Sequence, residues 1–143
     1  METREPKPDI GMKIKMGDKC FVGIKDLDEG KPIDETESRA LCAFVDDRPD
    51  CADFRLICLL KGLLAYGDLL SPETKEILKK TILSFKYAMS EPGVDSMCYW
   101  SENHQVLVAS CEYLAGRLYP EETFTNNGQS GRWHKDHGEK TLL

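Results

Sequence analysis

The chain has 143 residues, enough for one domain but not comfortably for two. Hydrophobic residues make up 41% and charged residues 31%, a balance typical of a globular rather than a disordered protein. With 19 Lys and Arg against 25 Asp and Glu, the formal charge of -6 argues against a nucleic-acid-binding protein, which needs positive charge to displace counterions. No apolar run is long enough to span a bilayer, so we expect no membrane partner.

Residues 1–37 differ in character from the rest of the chain. They contain three prolines, four glycines and many charges, which leave little apolar material for a core. We predict an irregular arm or a loose β-hairpin for this region. The signals are an alternation of apolar and charged residues over 12–16, a Gly-Asp pair at 17–18 and a short, mostly apolar segment over 19–25. Because no apolar core of a signal peptide follows the N-terminus, we expect a cytoplasmic protein.

The six cysteines form no CxxC pair and show no zinc-binding spacing. Several of them stand inside apolar helical segments, so we predict free thiols that behave as small hydrophobes. His134 and His137 have the i, i+3 spacing of two ligands on one helix face, but the further ligands of a metal site are lacking. We therefore expect no cofactor and no bound metal.

From residue 38 onward the hydrophobic pattern is helical, and we predict an all-α domain over 38–143. The segment 37–45 predicts a short first helix. Apolar residues occur nearly all round the next segment, Cys51–Leu70, which predicts a helix buried on more than one side. Within it, Gly62 and Gly67 lower helix propensity by about 1 kcal/mol each relative to Ala, and we expect them to admit a closely packed neighbour.

The next helix begins with a strong start signal, a serine cap followed by proline and glutamate at 71–73. We predict that it runs to Met89. One stripe of the predicted helix is apolar, and it consists of Leu78, Ile82, Phe85 and Met89.

A third long helix is predicted to begin after Ser101 and to end near Leu118, before Pro120. A polar loop over 121–128 then leads to a last helix from about Ser130. The predicted helices form antiparallel α-hairpins, which ordinarily stack in an array or close into a ring. A chain with fewer than about three such hairpins leaves an apolar face uncovered. We therefore expect a fragment of a larger helical array, or self-association through the uncovered faces.

The segment 98–105 carries the densest set of chemically active side chains. Tyr99 and Trp100 can stack on a sugar ring, Glu102 can act as an acid or base, and His104 can act as a general base near neutral pH. Backbone N–H groups at a helix start also favour a negative group. The same residues have a structural interpretation, because a helix start uses a cap, an acidic first turn and an apolar staple. Asn103 is the residue that this structural interpretation does not require.

Residues 103–120 (NHQVLVASCEYLAGRLYP), followed by GRWHKDHG at 131–138, resemble a hairpin of the α/α-toroid polysaccharide lyases, of the heparinase-like and alginate-lyase-like families. In these families an inner helix opens with an Asn-His-like pair at the cleft. The resemblance implies β-elimination on a uronate-containing polysaccharide, in which Asn103 neutralises the carboxylate and His104 or Tyr99 removes the C5 proton. Arg117 and Arg132 are the nearby cations for an acidic substrate.

Two alternatives accompany this interpretation. The related six-hairpin glycosidases would use Glu102 as the acid, with a second carboxylate that the sequence does not identify. A non-catalytic helical-repeat module would instead bind another protein through an uncovered apolar face. Because the chain offers fewer hairpins than a toroid, we expect it to be incomplete for catalysis as given.

Overall fold

The structure is a computed structural model, and it describes Gly30, residues 35–93 and residues 101–143. Over these ranges the fold is all-α, as predicted. Its helices are α1 (Glu35–Asp46), α2 (Asp53–Tyr66), α3 (Pro72–Ser84), α4 (Glu102–Leu118) and α5 (Gly131–Leu142), and a 3-10 turn, Gly67–Leu69, follows α2. None of these helices is both long and apolar enough to cross a bilayer. The predicted hairpin over 12–25 lies outside the described residues.

Serine side chains mark the starts of α3, α4 and α5. Ser71, Ser101 and Ser130 each accept a hydrogen bond from the backbone N–H three residues further on. Such a cap satisfies one of the N–H groups that a helix leaves unpaired at its start, and typically contributes about 1 kcal/mol. The predicted starts of these helices are confirmed.

The end of α3 differs from the prediction. The helix stops at Ser84 rather than at Met89, because Phe85 takes an extended backbone conformation. The buried Tyr87 then donates its hydroxyl to the carbonyl of Ile82 at 2.7 Å, which satisfies an acceptor at the helix end. Phe85 is buried as expected, but Met89 is 66% exposed and does not belong to the buried stripe.

The core lies around α2, which contacts α1, α3 and α4 and is therefore buried on more than one side, as predicted. Its large apolar side chains Phe54 and Leu64 are nevertheless exposed. The fully buried apolar side chains of the core come from all of α1 to α4 and from the loop before α5, and include Val45, Leu56, Leu60, Ile82, Val108, Cys111 and Phe124.

The helices α4 and α5 form the most extensive helix pair, and glycines bring their backbones together. A Cβ built on Gly138 would lie 2.8 Å from the carbonyl oxygen of Ala109 and from the backbone nitrogen of Tyr113. A Cβ on Gly116 would overlap the backbone of Gly131 and Lys135. Because backbone atoms cannot move aside as a side chain can, this helix pair requires glycine at both positions.

The glycines of the α2 segment do not have this role. Among the described residues, no atom lies within 4 Å of a Cβ built on Gly62 or Gly67. No closely packed neighbour of these two glycines is found within the described ranges, and the close approach seen there is between α4 and α5.

None of the four cysteines in the described ranges is in a disulfide, as predicted: Cys42, Cys51, Cys58 and Cys111. Burial raises the pKa of the Cys42 thiol to about 11 and raises the pKa of Cys111 further. Both therefore behave as small hydrophobic groups at neutral pH. Cys51 is the least buried of the four.

Candidate functional site

His104 and Asp53 form a buried pair where α2 meets α4. Nδ1 of the imidazole lies 2.6 Å from Oδ2 of the carboxylate, which is fully buried, while the His104 side chain is 11% exposed. Each residue stands in the first turn of its helix, and the Ser101 cap holds the backbone N–H of His104. The packing of α2 against α4 thus joins residues that are 51 positions apart in the sequence.

This hydrogen bond determines which ring nitrogen of His104 is available for chemistry. A carboxylate only accepts hydrogen bonds, so Nδ1 must donate to Asp53. In the neutral imidazole the lone pair then resides on Nε2. The same arrangement orients histidines that act as general bases and histidines that bind metals. The imidazole ring therefore has a defined orientation, and Nε2 is the nitrogen that can accept a proton or bind a metal ion.

An aromatic ring packs against the imidazole, and two polar residues precede His104 in the same helical turn. The ring of Phe54 meets it edge-on, with the ring centroids 5.5 Å apart. Glu102 and Asn103, in the same helical turn, are exposed. The N-terminus of α4 adds backbone N–H groups that favour a negative group. A base, a carboxamide and a carboxylate are thus together at one helix start.

The loop between α1 and α2 contributes two further groups. A carboxylate oxygen of Asp50, the sulfur of Cys51 and a ring nitrogen of His104 all lie within 4.8 Å of one another. Oδ1 of Asp50 also accepts the backbone N–H of Cys51 at 3.1 Å. Cys51 has a φ of 66°, in the left-handed region that residues other than glycine adopt uncommonly. Thiolate, carboxylate and imidazole are all ligands of zinc, so these three residues could hold a metal ion.

The other predicted site residues lie elsewhere or outside the described ranges. Arg117 is exposed in the last turn of α4, about 20 Å along the helix from Asn103 at 1.5 Å per residue. Arg132 lies near the start of α5 and donates from Nε to Glu121 at 2.8 Å. Neither cation is brought to His104. Tyr99 and Trp100 fall within residues 94–100, which the structure does not describe.

A second polar cluster joins α4 to α5. Glu112 accepts from Nδ1 of His134 at 2.6 Å and from Nδ1 of His137 at 2.7 Å. Nε2 of His134 lies 2.8 Å from Oδ1 of Asn127, and that oxygen is identified as an acceptor because it also accepts the backbone N–H of Gln129. Both nitrogens of His134 are therefore used in hydrogen bonds, and this histidine holds two helices together.

Sequence reasoning missed Asp53 and Cys51 as site residues. An acidic residue at a helix start is adequately explained by the helix dipole, and nothing local identifies His104 as its partner. The available signal was the composition of α2, since a helix that is apolar nearly all round also buries its few polar residues, and a buried carboxylate needs a partner.

A separate cleft of about 210 Å³ lies between α1 and the end of α3, lined by Val45, Asp46, Arg48, Lys80, Ser84 and Phe85. This cleft includes none of the predicted site residues. Comparison of the chain with known protein families, with curated proteins and with solved structures finds no match in any of the three.

Proposed function

We propose that this protein is carbohydrate-active and cleaves a uronate-containing polysaccharide by β-elimination, with His104 as the general base. The observation that carries the proposal is the 2.6 Å contact between Nδ1 of His104 and the buried carboxylate of Asp53. This contact leaves Nε2 to accept a proton. The resemblance of residues 103–120 to the toroid lyases supplies the substrate class.

In the proposed reaction, Nε2 of His104 takes the proton from C5 of the uronate. The electrons of the C–H bond form the C4–C5 double bond, and the C4–O4 bond breaks with its electron pair on the leaving oxygen. Glu102, exposed in the same turn, is the candidate acid that gives this oxygen a proton.

Asn103 has a distinct role in the proposal. Removal of the C5 proton places negative charge on the uronate carboxylate, and a carboxamide N–H can donate to that group. Asn103 is exposed next to His104, and the N-terminal N–H groups of α4 add positive potential at the same place. Tyr99 remains the other candidate base and Trp100 the candidate for stacking on the sugar, since both immediately precede the helix.

The test is an elimination assay on the full natural protein with alginate, heparin and related polysaccharides. The unsaturated uronate product absorbs in the ultraviolet, whereas a hydrolysis product does not. We expect His104→Ala to lower kcat by about a thousandfold and Asn103→Ala by about a hundredfold. Lys140→Ala, on the exposed end of α5, is the matched control and should leave the rate unchanged. Full activity in both site variants, or no absorbance with wild type, contradicts the proposal.

A second function, a non-catalytic module that binds another protein or a second copy of itself, is favoured by exposed apolar side chains. Phe54 and Leu64 on α2 and Val106 on α4 are 42%, 49% and 53% exposed. Helical hairpins bury such faces by stacking. Light scattering during size-exclusion chromatography tests self-association: dimers in wild type that Leu64→Asp and Val106→Asp dissociate support it, and a monomer in wild type contradicts it.

A further inference from the structure

We propose that Asp50, Cys51 and His104 bind a divalent transition-metal ion, with Zn²⁺ the best fit, and that Asp53 orients the histidine ligand. Metal binding goes beyond the proposed function and does not depend on it, because binding can be measured without any polysaccharide. The proposal also departs from the expectation, drawn from the cysteine spacing, that the chain holds no metal.

The donor atoms are already close to the geometry that zinc requires. A carboxylate oxygen of Asp50, the sulfur of Cys51 and one ring nitrogen of His104 lie within 4.8 Å of one another. Ligands of one tetrahedral Zn²⁺, at about 2.0 Å for nitrogen or oxygen and about 2.3 Å for sulfur, are about 3.3–3.6 Å apart. Donors at that limit therefore need to move together by up to about 1.5 Å. Asp50 is exposed and lies in a loop, so its side chain is free of the helix packing that would oppose this movement.

Asp53 supplies the support that metal-bound histidines ordinarily have. Such a histidine donates its other ring N–H to a carboxylate, which fixes the tautomer and raises the basicity of the ligating nitrogen. Asp53 accepts from Nδ1 of His104 at 2.6 Å, so Nε2 is the nitrogen that can bind the ion.

An independent observation also points to a cation. Oδ1 of Asp53 is buried and has no hydrogen-bond partner among the described residues. A buried carboxylate oxygen left without a partner is costly, and a nearby positive charge reduces that cost. Asp50 places a second carboxylate beside the same imidazole. A divalent ion bound to Nε2 of His104 would offset negative charge from both carboxylates.

Binding has a defined proton balance. Sulfur binds a metal as the thiolate, so the Cys51 thiol loses its proton to solvent, and His104 binds through the lone pair of Nε2. One proton is therefore released from the thiol for each ion bound. The three protein ligands leave the fourth position of a tetrahedral ion open to water.

Metal binding has one consequence that does rest on the proposed function. An ion on Nε2 of His104 removes the lone pair that proton abstraction requires. If His104 is the base, Zn²⁺ inhibits elimination, and a chelator restores it.

The binding test uses Co²⁺ as a spectroscopic substitute for Zn²⁺ on the reduced full-length protein. We expect one equivalent of Co²⁺ to produce the near-ultraviolet charge-transfer band of a cobalt–thiolate bond. Cys51→Ser should abolish the band, and Asp53→Asn should weaken Zn²⁺ binding, measured by calorimetry, about 10- to 100-fold while the ligands stay in place. Cys42→Ser is the matched control, because this thiol bonds to the carbonyl of Ile77 away from the site, and it should keep the band.

Circular dichroism verifies that each variant is folded. A second measurement needs no variant: in wild type, Zn²⁺ should protect the Cys51 thiol from alkylation by iodoacetamide. Absence of the band in wild type, its persistence in Cys51→Ser, or an unprotected thiol overturns the metal site. Elimination activity is measured separately, so metal binding without activity refutes the proposed function alone, and activity without metal binding refutes the metal site alone.

Discussion

Oδ2 of Asp53 accepts a hydrogen bond from Nδ1 of His104 at 2.6 Å and thereby joins the first turns of α2 and α4. The carboxylate is fully buried. In such surroundings a carboxylate is destabilising unless it is paired, and a hydrogen bond to an ionised group is about twice as strong as a neutral one. The same contact therefore contributes to folding and orients the imidazole.

We predict that Asp53→Asn lowers the free energy of unfolding by about 2 kcal/mol, because a hydrogen bond to a charged group is lost with little change in side-chain volume. Urea denaturation followed by circular dichroism measures this change. Asp136→Asn, at an exposed position of α5, is the control and should change stability little. Equal stability losses in the two variants would show that the pair with His104 is energetically unimportant.

Glu112→Gln should lower the free energy of unfolding by about 3 kcal/mol, a larger loss than that of Asp53→Asn. Glu112 accepts hydrogen bonds from both His134 and His137 and is almost completely buried. The amide of the variant can replace only one of the two acceptor oxygens. Glu139→Gln, on the exposed face of α5, provides the comparison in the same denaturation experiment. A loss below about 1 kcal/mol, the size of an ordinary surface effect, contradicts the role assigned to this cluster.

The close contact of α4 with α5 predicts opposite effects of alanine at two buried helical glycines. Gly138→Ala should destabilise by about 1–3 kcal/mol, because its Cβ would meet backbone atoms of Ala109 and Tyr113. Gly62→Ala should stabilise by up to about 1 kcal/mol through helix propensity, since described atoms leave room for its Cβ. Thermal unfolding of the two variants measures both, and the same sign for both contradicts this account of the helix pair.

The protein should lose stability in alkaline solution. Burial raises the pKa of Cys42 from 9.0 to about 11 and the pKa of Tyr119 from 10.0 to about 12, and it also raises that of Tyr87. The folded protein keeps these protons to higher pH than the unfolded chain does. The resulting stabilisation is complete below the unfolded pKa values and is lost as pH rises from about 9 towards the folded values.

Urea denaturation over about pH 7 to 10.5 at constant ionic strength measures this loss. Titration of these groups should leave the free energy of unfolding unchanged up to about pH 9 and should lower it above that pH. In Tyr119→Phe the part of the fall that begins near pH 10 should be smaller. A free energy of unfolding that rises above pH 9 would contradict the prediction.

Much of the helical architecture could be predicted because its signals are local. The starts of α3 and α4 follow from capping chemistry that is complete within a few residues of Ser71 and Ser101. The end of α3 could not be predicted in the same way. It depends on the burial of Tyr87 and on its bond to Ile82, and the apolar spacing that continues to Met89 gives no sign of either.

The same distinction between local and long-range signals applies to the candidate site. Asn103 and His104 could be identified because they stand together at a predicted helix start. Asp53 and Cys51 could not, since their relationship to His104 exists only when α2 packs against α4. The exposed arginines Arg117 and Arg132 illustrate the opposite error, because proximity in the sequence did not bring them to the site.

Proton abstraction and metal binding by His104 both require a lone pair on Nε2, so the tautomer of this imidazole is the central claim. Long-range ¹H–¹⁵N correlation spectroscopy of ¹⁵N-labelled, metal-free protein at about pH 8 reports which ring nitrogens carry protons, and His104→Gln identifies the signal. For the neutral imidazole, the contact with Asp53 predicts the proton on Nδ1 and the lone pair on Nε2. A neutral imidazole with its proton on Nε2 would contradict both the proposed reaction and the proposed metal site.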